Sequence, residues 1–316
     1  MTARSKGHAV EVSGLSKRFG EVRALNDVTF HVAHGELFGF IGPDGAGKTT
    51  LFRTMVTLLL PDAGTVRVLG LDVVNDLWAL RSKVGYMPGR FSLYPDLSAE
   101  ENLRFFASVF GTTLEAGRDI IEPIWRQLEP FAARRASALS GGMKQKLALC
   151  CALVHAPEIL FLDEPTTGVD AVSRREFWDL LDRLRAGGLT VVVSTPYMDE
   201  ASRCDRVALV QKGRILLTDA PAVIGAQYPR PLFVVRANDR LAILGLLRRF
   251  PHAAAVWPFG EVVHYTDART DSTSELIIRE LSAFVAEAKM PNVHISVTPA
   301  GIEDAFMWYM AHEEAA

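Results

Sequence analysis

The chain has 316 residues, 49% of them hydrophobic, which is enough for about two globular domains with ordinary buried cores. Its 34 Lys and Arg stand against 37 Asp and Glu, for a net charge of -3 and no long basic block, so nucleic acid is not expected as a partner. No apolar stretch approaches the roughly 20 residues that span a bilayer, and none follows the basic N-terminus, so we expect a chain that is neither secreted nor inserted in a membrane.

The chain begins with predicted strands. Alternating or β-branched residues separated by glycines predict a β-rich layer. Phe19 and Gly20 fall in a predicted loop between the first two strands. An aromatic side chain there can stack on an adenine ring or cover the edge of the core, and the local sequence favours neither. The predicted strands cover residues 9–12, 28–32, 36–41 and 65–69.

A glycine-rich loop of the form GxxxxGK[ST] follows the third strand. Its glycines let the backbone wrap a triphosphate with the N–H groups inward, and apolar residues at helical spacing predict a helix continuing to Leu59. Lys48 is expected to reach the β- and γ-phosphates, and the Thr49 hydroxyl to bind Mg²⁺. A turn without a ligand is the alternative, but strand, loop and helix stand in the required order. The predicted phosphate-binding loop is Gly42, Pro43, Asp44, Gly45, Ala46, Gly47, Lys48, Thr49 and Thr50.

Residues from about 97 to 155 predict an all-helical insert within an α/β domain. A capping-box pattern over residues 98–101 opens it, and amphipathic helices follow. Ser140 can cap a helix whose first residues, Gly141 and Gly142, leave amides bare for an anion. A capped helix start without a ligand explains the same residues, and the local sequence does not separate the two interpretations.

Four apolar residues, 159–162, lead directly into Asp163 and Glu164. This pattern is typical of a buried parallel strand whose carboxyl end delivers charge to a ligand crevice. Asp163 is expected to hold Mg²⁺ through water, and Glu164 to polarise an attacking water. An acidic helix cap before Pro165 is the alternative, which the unbroken apolar run disfavours.

Three further elements complete this domain. Asp170 is expected to cap a helix over residues 171–184, and residues 190–194 predict another strand. Residues 206–217 predict a hairpin that turns at Lys212 and Gly213.

Taken together, these motifs resemble those of ATP-binding subunits of ABC transporters. A phosphate loop alone does not separate this family from kinases or GTPases, whereas LSGG shortly before an apolar strand ending in Asp-Glu is specific to it. The resemblance covers roughly residues 8–226 and is greatest to bacterial multidrug-export ATPases, which serve permeases of the ABC type-2 exporter class. The motifs are GPDGAGKTT at 42–50, LSGGM at 139–143, ILFLDEP at 159–165 and Gly168-Val169-Asp170.

The resemblance implies a fold and a set of partners. Residues 1–228 are expected to form a P-loop NTPase cassette, with a RecA-like core, an antiparallel β layer and the helical insert. The implied cofactors are ATP and Mg²⁺. The implied partners are a second ABC cassette, in a homodimer or heterodimer, and an integral-membrane permease that holds the chain at the cytoplasmic face of the inner or plasma membrane.

The resemblance also assigns roles to residues. Phe19 matches the aromatic residue that stacks on adenine, and residues 42–50 match the phosphate loop. In this family two cassettes face head to tail, so each ATP lies between the phosphate loop of one and the LSGG of the other. The remaining matches are Ser140, Gly141 and Gly142 with the signature offered to a partner's γ-phosphate, Asp163 with the metal-site acid, Glu164 with the catalytic base, and Asp170 with the loop linking the two sites.

Two positions depart from the family pattern. Gly89 replaces a glutamine that touches Mg²⁺ and the attacking water, and Pro196 replaces a histidine that contacts the γ-phosphate. Losing one preorganised donor commonly costs ~10²- to 10³-fold in rate. The sequence therefore supports two functions: an ATPase that energises an exporter, and a nucleotide-binding regulatory or structural subunit with little turnover. A soluble ABC protein of DNA repair or translation is disfavoured, because those carry long coiled coils or two cassettes in one chain.

The C-terminal part predicts a second, smaller domain over residues 231–316. Prolines at 229 and 231 indicate a linker, and the elements after it follow the order βαββαβ of a ferredoxin-like α+β unit. A last helix from Ile302 is expected to pack on its own domain rather than on a partner. The histidines here are too scattered to predict a metal site.

Overall fold

The computed structural model describes residues 7–89 and 93–313. The chain forms two compact units that divide between Pro221 and Ala222, earlier than the predicted boundary at 228–231. Tyr228 explains the difference, because its hydroxyl lies 2.6 Å from Thr266 Oγ1 and its ring lies 5.5 Å from that of Trp308, both in the second unit.

The first unit contains ten strands and seven α-helices among its described residues. In chain order they are β1 Val10–Phe19, β2 Val22–Val32, β3 Leu37–Ile41, α1 Lys48–Met55, β4 Ala63–Val68, β5 Leu71–Asp72, α2 Leu77–Arg81, β6 Val84–Met87, α3 Ala99–Val109, α4 Arg118–Trp125, α5 Gly141–Leu153, β7 Ile159–Asp163, α6 Ala171–Ala186, β8 Thr190–Thr195, α7 Met198–Ala201, β9 Arg206–Gln211 and β10 Arg214–Asp219.

A six-stranded sheet of order β10-β9-β3-β8-β7-β6 forms the centre of this unit. Its strands are parallel except for β10, and every residue of β3, β7 and β8 is buried, as their apolar runs require. The pairing sets Ile41 beside Thr195 and Asp163 beside Ser194. The carboxyl ends of three buried strands therefore meet at one edge of the sheet.

A second, antiparallel sheet of order β2-β1-β4-β5 packs its apolar face against this core. Its first two strands form a hairpin much longer than predicted, because register shifts between Val12 and Leu15 and between Leu15 and Lys17 interrupt the alternation that the sequence pattern relies on. The prediction that Phe19 lies in a loop is wrong: Phe19 ends β1, and only Gly20 and Glu21 form the turn.

The helix after the phosphate loop is shorter than predicted. It ends at Met55, because Thr57 has a left-handed φ of 65° and turns the chain away, so Leu58 and Leu59 lie beyond it. The insert between β6 and β7 is helical, with α3, α4, α5 and two short 3₁₀ helices. A capping box opens α3: Ser98 Oγ accepts from Glu101 N at 3.2 Å, and Glu101 Oε2 accepts from Ser98 N at 2.7 Å.

The second unit contains α8 Pro221–Ala226, β11 Leu232–Arg236, α9 Arg240–Leu247, β12 Ala253–Phe259, β13 Val262–Asp267, α10 Ser274–Glu287, β14 His294–Thr298 and α11 Ile302–Glu313. Its strands form an antiparallel sheet of order β12-β13-β11-β14, and the elements from β11 onward follow the predicted order. Phe233, Val235 and Tyr265 form a core with α9 and α10. On β13, His264 Nδ1 lies 2.6 Å from Asp304 Oδ1, which attaches the last helix to its own unit.

Within residues 7–89 and 93–313, no helix has the length and apolar character needed to cross a membrane.

Candidate functional site

A cleft of about 540 Å³ opens at the carboxyl ends of the parallel strands, which is an ordinary size for a site that holds a small molecule. The phosphate loop forms its floor, the start of β2 forms one wall, and Glu164 and Lys212 complete it. Its lining residues are Val22, Arg23, Ala24, Asp44, Gly45, Ala46, Gly47, Lys48, Thr49, Thr50, Glu164 and Lys212.

The glycines of the phosphate loop are required by its geometry. Gly45 and Gly47 have left-handed φ values of 78° and 106°. A Cβ at Gly47 would lie 2.5 Å from the carbonyl oxygen of Ala24, and one at Gly42 would lie 2.2 Å from that of Val210. The loop is thus pressed against β2 and β9, and α1 begins directly after it with its first N–H groups at the cleft.

Lys48 is fixed at the floor of this cleft. Its side chain is 3% exposed, and its Nζ donates to the carbonyl oxygens of Gly42 at 2.8 Å and Pro43 at 3.0 Å. The same Nζ forms an ion pair with Glu164 Oε1 at 3.1 Å. The structure therefore brings the predicted phosphate-binding cation and the predicted base into one small volume.

Asp163 and Glu164 are ordered by Ser194 on the neighbouring strand. Asp163 is 2% exposed, and its Oδ1 accepts a 2.7 Å hydrogen bond from Ser194 Oγ. Glu164 N donates to Ser194 O at 3.1 Å and to Ser194 Oγ at 2.9 Å, although Glu164 itself has a left-handed φ of 51°. Burial together with the Asp163 carboxylate raises the pKa of Tyr86 to about 12, so this tyrosine stays protonated near neutral pH.

Sequence reasoning did not identify Ser194 as a site residue. It ends a predicted strand, but nothing in the local sequence indicates which strand lies beside it. Val22, Arg23 and Lys212 were also missed. Val22 and Arg23 belong to a hairpin that is longer than its sequence pattern predicts, and Lys212 reaches the cleft through a turn. That turn is joined to the phosphate loop by a hydrogen bond from Gly213 N to Ala46 O at 2.9 Å.

The donors near the loop suit Mg²⁺. Thr49 and Asp163 supply a hydroxyl and a carboxylate, the hard oxygen ligands that Mg²⁺ prefers. The residues that the structure describes hold no group of three or more His, Cys, Asp or Glu able to bind a metal unaided.

The LSGG residues form a separate surface, outside the lining of the cleft. Ser140 caps α5 by accepting from Met143 N at 3.4 Å, and Asp170 caps α6 by accepting from Ser173 N at 2.9 Å. A Cβ at Gly142 would lie 2.6 Å from Ser173 Oγ, whereas one at Gly141 meets nothing closer than 3.9 Å. Gly142 is therefore needed for packing of α5 on α6, while Gly141 leaves its backbone open.

A buried lysine also joins these two helices. Lys146 Nζ on α5 lies 2.7 Å from both Glu176 Oε2 on α6 and Gln127 Oε1. The ion pair fixes the capped ends of α5 and α6 relative to each other.

Phe19 lies beside the cleft but does not line it. Its register partner is Val22, which does line the cleft, so the two side chains share one face of the hairpin. Phe19 is 50% exposed, and Lys17 Nζ lies 5.7 Å from its ring centroid.

The two departures from the family pattern lie in different surroundings. A Cβ at Gly89 would lie 2.9 Å from the carbonyl oxygen of Asp163, so the chain approaches too closely for a side chain. After Pro196, Tyr197 turns toward α6: its N–H donates to Thr195 Oγ1 at 3.0 Å, and Arg174 lies 4.7 Å from its ring centroid. Tyr197 is not among the residues that line the cleft.

Comparison with known proteins identifies the family. The family model for ABC transporters matches residues 25–167. The probable multidrug ABC transporter ATP-binding protein YbhF of Escherichia coli (strain K12) is 45% identical over 223 residues, which cover 69% of this chain but 38% of that protein. The chain thus matches less than half of the length of this relative.

Two relatives are matched over more of their length. The Nod factor export ATP-binding protein I of Paraburkholderia xenovorans (strain LB400) is 40% identical over 219 residues, covering 68% of this chain and 72% of that one. The protein of the same name from Mesorhizobium japonicum is 32% identical over 304 residues, covering 95% and 86%.

Solved structures agree with these relatives. An ATP-binding subunit of an ABC transporter matches with a TM-score of 0.63 at 29% identity, over 70% of this chain and 93% of that one. A dimeric ATP-binding cassette in a post-hydrolysis state with ADP and Pi matches with a TM-score of 0.60 at 27% identity, over 67% and 98%. The chain therefore belongs to the ABC transporter family, as one of its ATP-binding cassettes.

Proposed function

We propose that this chain binds and hydrolyses ATP to energise an ABC-type exporter through a separate permease. The observation that carries the proposal is the cleft in which Lys48 Nζ, on the floor of the phosphate loop, lies 3.1 Å from the Glu164 carboxylate. A phosphate-binding cation and a general base within one enclosed volume are what phosphoryl transfer to water requires.

Each group at or beside the cleft has a role in this proposed reaction. The loop N–H groups and Lys48 bind and orient the β- and γ-phosphates, which supplies most of the catalysis in phosphoryl transfer. Glu164 accepts the proton of the attacking water. Thr49 and Asp163 would hold Mg²⁺, which when bound neutralises charge on the phosphates. Phe19, on the same face of the hairpin as Val22, would stack on adenine.

A second cassette completes the site in this proposal. Ser140, Gly141 and Asp170 are exposed and lie outside the lining of the cleft, so they are free to meet another molecule. The capped start of α5 offers N–H groups to the γ-phosphate held by a partner. Either a homodimer or a heterodimer satisfies this arrangement.

The relatives support transport as the coupled process. Their names describe multidrug transport and Nod factor export, and the chain aligns with them over 223 and 219 residues. We therefore infer partnership with an integral-membrane permease at the cytoplasmic face of the membrane, and export of a drug or another solute.

A nucleotide-binding regulatory or structural subunit is the second candidate. It is favoured by Gly89 and Pro196, since the site lacks both the glutamine and the histidine of its family. In this version the chain binds ATP in its own cleft and serves mainly to present Ser140, Gly141 and Gly142 to a full-pattern partner cassette.

Turnover measured against nucleotide affinity separates the two candidates. We expect micromolar to millimolar ATP binding in both. Turnover of ~1 to 10³ s⁻¹ by the chain with its permease supports the energising ATPase. Tight binding with much slower turnover, raised only by adding a second cassette, supports the regulatory candidate. Absence of ATP binding contradicts both.

A further inference from the structure

We infer that Ser194 is a positioning residue for catalysis, holding the metal-site carboxylate of Asp163 and the backbone of Glu164 in one arrangement. The inference rests on the proposed function, because it concerns the same cleft. No family motif described above includes this residue.

The Ser194 hydroxyl both donates and accepts a hydrogen bond. Ser194 Oγ donates to Asp163 Oδ1 at 2.7 Å and accepts from Glu164 N at 2.9 Å. A hydroxyl has one donor and two acceptor positions, so both bonds form at once. One side chain therefore contacts the two adjacent residues that carry the predicted metal and base roles.

Ser194 is itself rigidly held. It is 0% exposed and lies in β8 between β3 and β7, paired with Phe40 on one side and Asp163 on the other. A buried hydroxyl in the middle of a parallel sheet has little freedom to choose another partner. Its position is therefore set by the fold rather than by the ligand.

The hydrogen bond from Ser194 goes to one specific carboxylate oxygen of Asp163. Asp163 is 2% exposed, and its Oδ1 is the atom that accepts from Ser194. A charge-assisted hydrogen bond of this kind orients the carboxylate and tunes the oxygen available to a metal. Removing such a partner of a metal ligand typically costs 10- to 100-fold in metal affinity or activity.

The contact with Glu164 supports an unfavourable backbone conformation. Glu164 has a φ of 51°, in the left-handed region that non-glycine residues seldom occupy because of its steric cost. Its N–H points at Ser194 O and Oγ, at 3.1 and 2.9 Å. These bonds hold the peptide that aims the Glu164 side chain toward Lys48.

The test compares Ser194→Ala with a matched control on the same strand. Thr190 at the other end of β8 is also buried, and its Oγ1 accepts from Gly35 N at 2.9 Å. Thr190→Val removes a comparable buried hydroxyl far from the cleft. Ser194→Thr retains the hydroxyl and serves as the conservative variant.

Three quantities are measured on the full chain. The first is affinity for ATP without divalent metal, the second is affinity for Mn²⁺ in the complex with a non-hydrolysable ATP analogue, by electron paramagnetic resonance, and the third is kcat. For Ser194→Ala we expect unchanged metal-free ATP affinity, with Mn²⁺ affinity and kcat each reduced by about 10- to 100-fold. Thr190→Val should match the wild type in all three, and Ser194→Thr should recover most of the loss.

Two results would overturn the inference. One is a Ser194→Ala variant whose Mn²⁺ affinity and kcat equal those of Thr190→Val; the other is a Ser194→Thr variant, folded by circular dichroism, that is as impaired as Ser194→Ala. If wild-type chain fails to bind ATP at all, the proposed function fails instead, so the two failures are distinguishable.

Discussion

Glu164 combines three features at the residue scale: a left-handed φ of 51°, an ion pair with Lys48 at 3.1 Å, and a place directly after a fully buried strand. Backbone conformations of this kind persist only where the surroundings over-determine them, and they cluster at functional sites. Here Ser194 accepts the hydrogen bonds from Glu164 N that hold this conformation. The strain is thus explained by the need to turn the Glu164 carboxylate from the strand end into the cleft.

Glu164→Gln should lower kcat by ~10²- to 10⁴-fold while ATP affinity stays within a few-fold of wild type, because the amide retains the shape but cannot accept a proton from water. Steady-state phosphate release together with equilibrium ATP binding measures both quantities. Glu158→Gln, at an exposed position paired with Lys83, is the control. Equal turnover of Glu164→Gln and wild type would show that another group is the base.

The two departures from the family pattern should respond differently to repair. Pro196→His restores a donor to the γ-phosphate and should raise kcat, by up to ~10²-fold. Gly89→Gln should give no comparable gain, because its Cβ would lie 2.9 Å from the carbonyl oxygen of Asp163 and displace the metal-site strand. Phosphate release by each variant checks this. A larger gain from Gly89→Gln than from Pro196→His would contradict the structural explanation.

At the scale of elements, the predicted motifs and their order correspond to what the structure contains. The buried strand before Asp163, the loop before Lys48 and the caps at Ser140 and Asp170 are local patterns, each decided by residues within a few positions. Such patterns are legible in sequence because propensity and hydrogen bonding act over short distances.

What the sequence could not show depends on distant partners. Ser194 acquires its role only because β8 lies beside β7, and sheet order is not encoded in either strand alone. The sequence underestimates the length of the β1–β2 hairpin, because register shifts interrupt the two-residue alternation of side chains along its strands. Gly142 was interpreted as an anion-binding glycine, yet its contact with Ser173 gives it a packing role that depends on where α6 lies.

The two glycines of the LSGG motif should therefore respond differently to substitution, because Gly142 has a structural role and Gly141 a functional one. Gly142→Ala should reduce the free energy of unfolding by about 1–3 kcal/mol, since its Cβ would lie 2.6 Å from Ser173 Oγ. Gly141→Ala should change it by no more than about 0.5 kcal/mol, because that position is open. Urea denaturation followed by circular dichroism measures both.

A double variant provides the control for this prediction. Ser173→Gly removes the atoms that a Cβ at position 142 would meet, so it should recover part of the loss caused by Gly142→Ala. Equal destabilisation by Gly141→Ala and Gly142→Ala would contradict the assignment.

At the scale of the whole molecule, the second unit carries its own buried charges. Asp267 is buried, which alone would raise its pKa, but hydrogen bonds from the Arg269 side chain at 2.9 and 3.0 Å, from Arg269 N and from Tyr265 Oη lower the pKa overall. A carboxyl group whose pKa is lower in the folded state than in the unfolded state stabilises the folded protein. The contribution is fully present at pH values above the unfolded pKa, near 3.9, and it is lost as the pH falls through the lowered folded pKa.

We therefore expect the second unit to lose stability below about pH 4, as Asp267 becomes protonated. Urea denaturation of the full chain between pH 2.5 and 7 measures the loss. Asp267→Asn should be less stable at neutral pH and should show a weaker dependence in the acid range. A variant with the same acid dependence as wild type would show that other carboxyls cause it.

All residues that line the cleft belong to the first of the two units. We expect ATP binding to depend on Lys48, which donates hydrogen bonds to the carbonyl oxygens of Gly42 and Pro43. The loop N–H groups contribute, but Lys48 is the cation buried at the floor of the cleft.

Isothermal titration of the full chain with Mg·ATP tests this claim most directly. Wild type and Lys83→Ala, which removes a partly exposed lysine paired with Glu158, should bind with similar affinity. Lys48→Ala should retain its fold by circular dichroism and lose binding by ~10²-fold or more, the effect of removing a charged hydrogen-bond donor worth about 3 kcal/mol. A folded Lys48→Ala variant that binds Mg·ATP as tightly as Lys83→Ala would contradict the account.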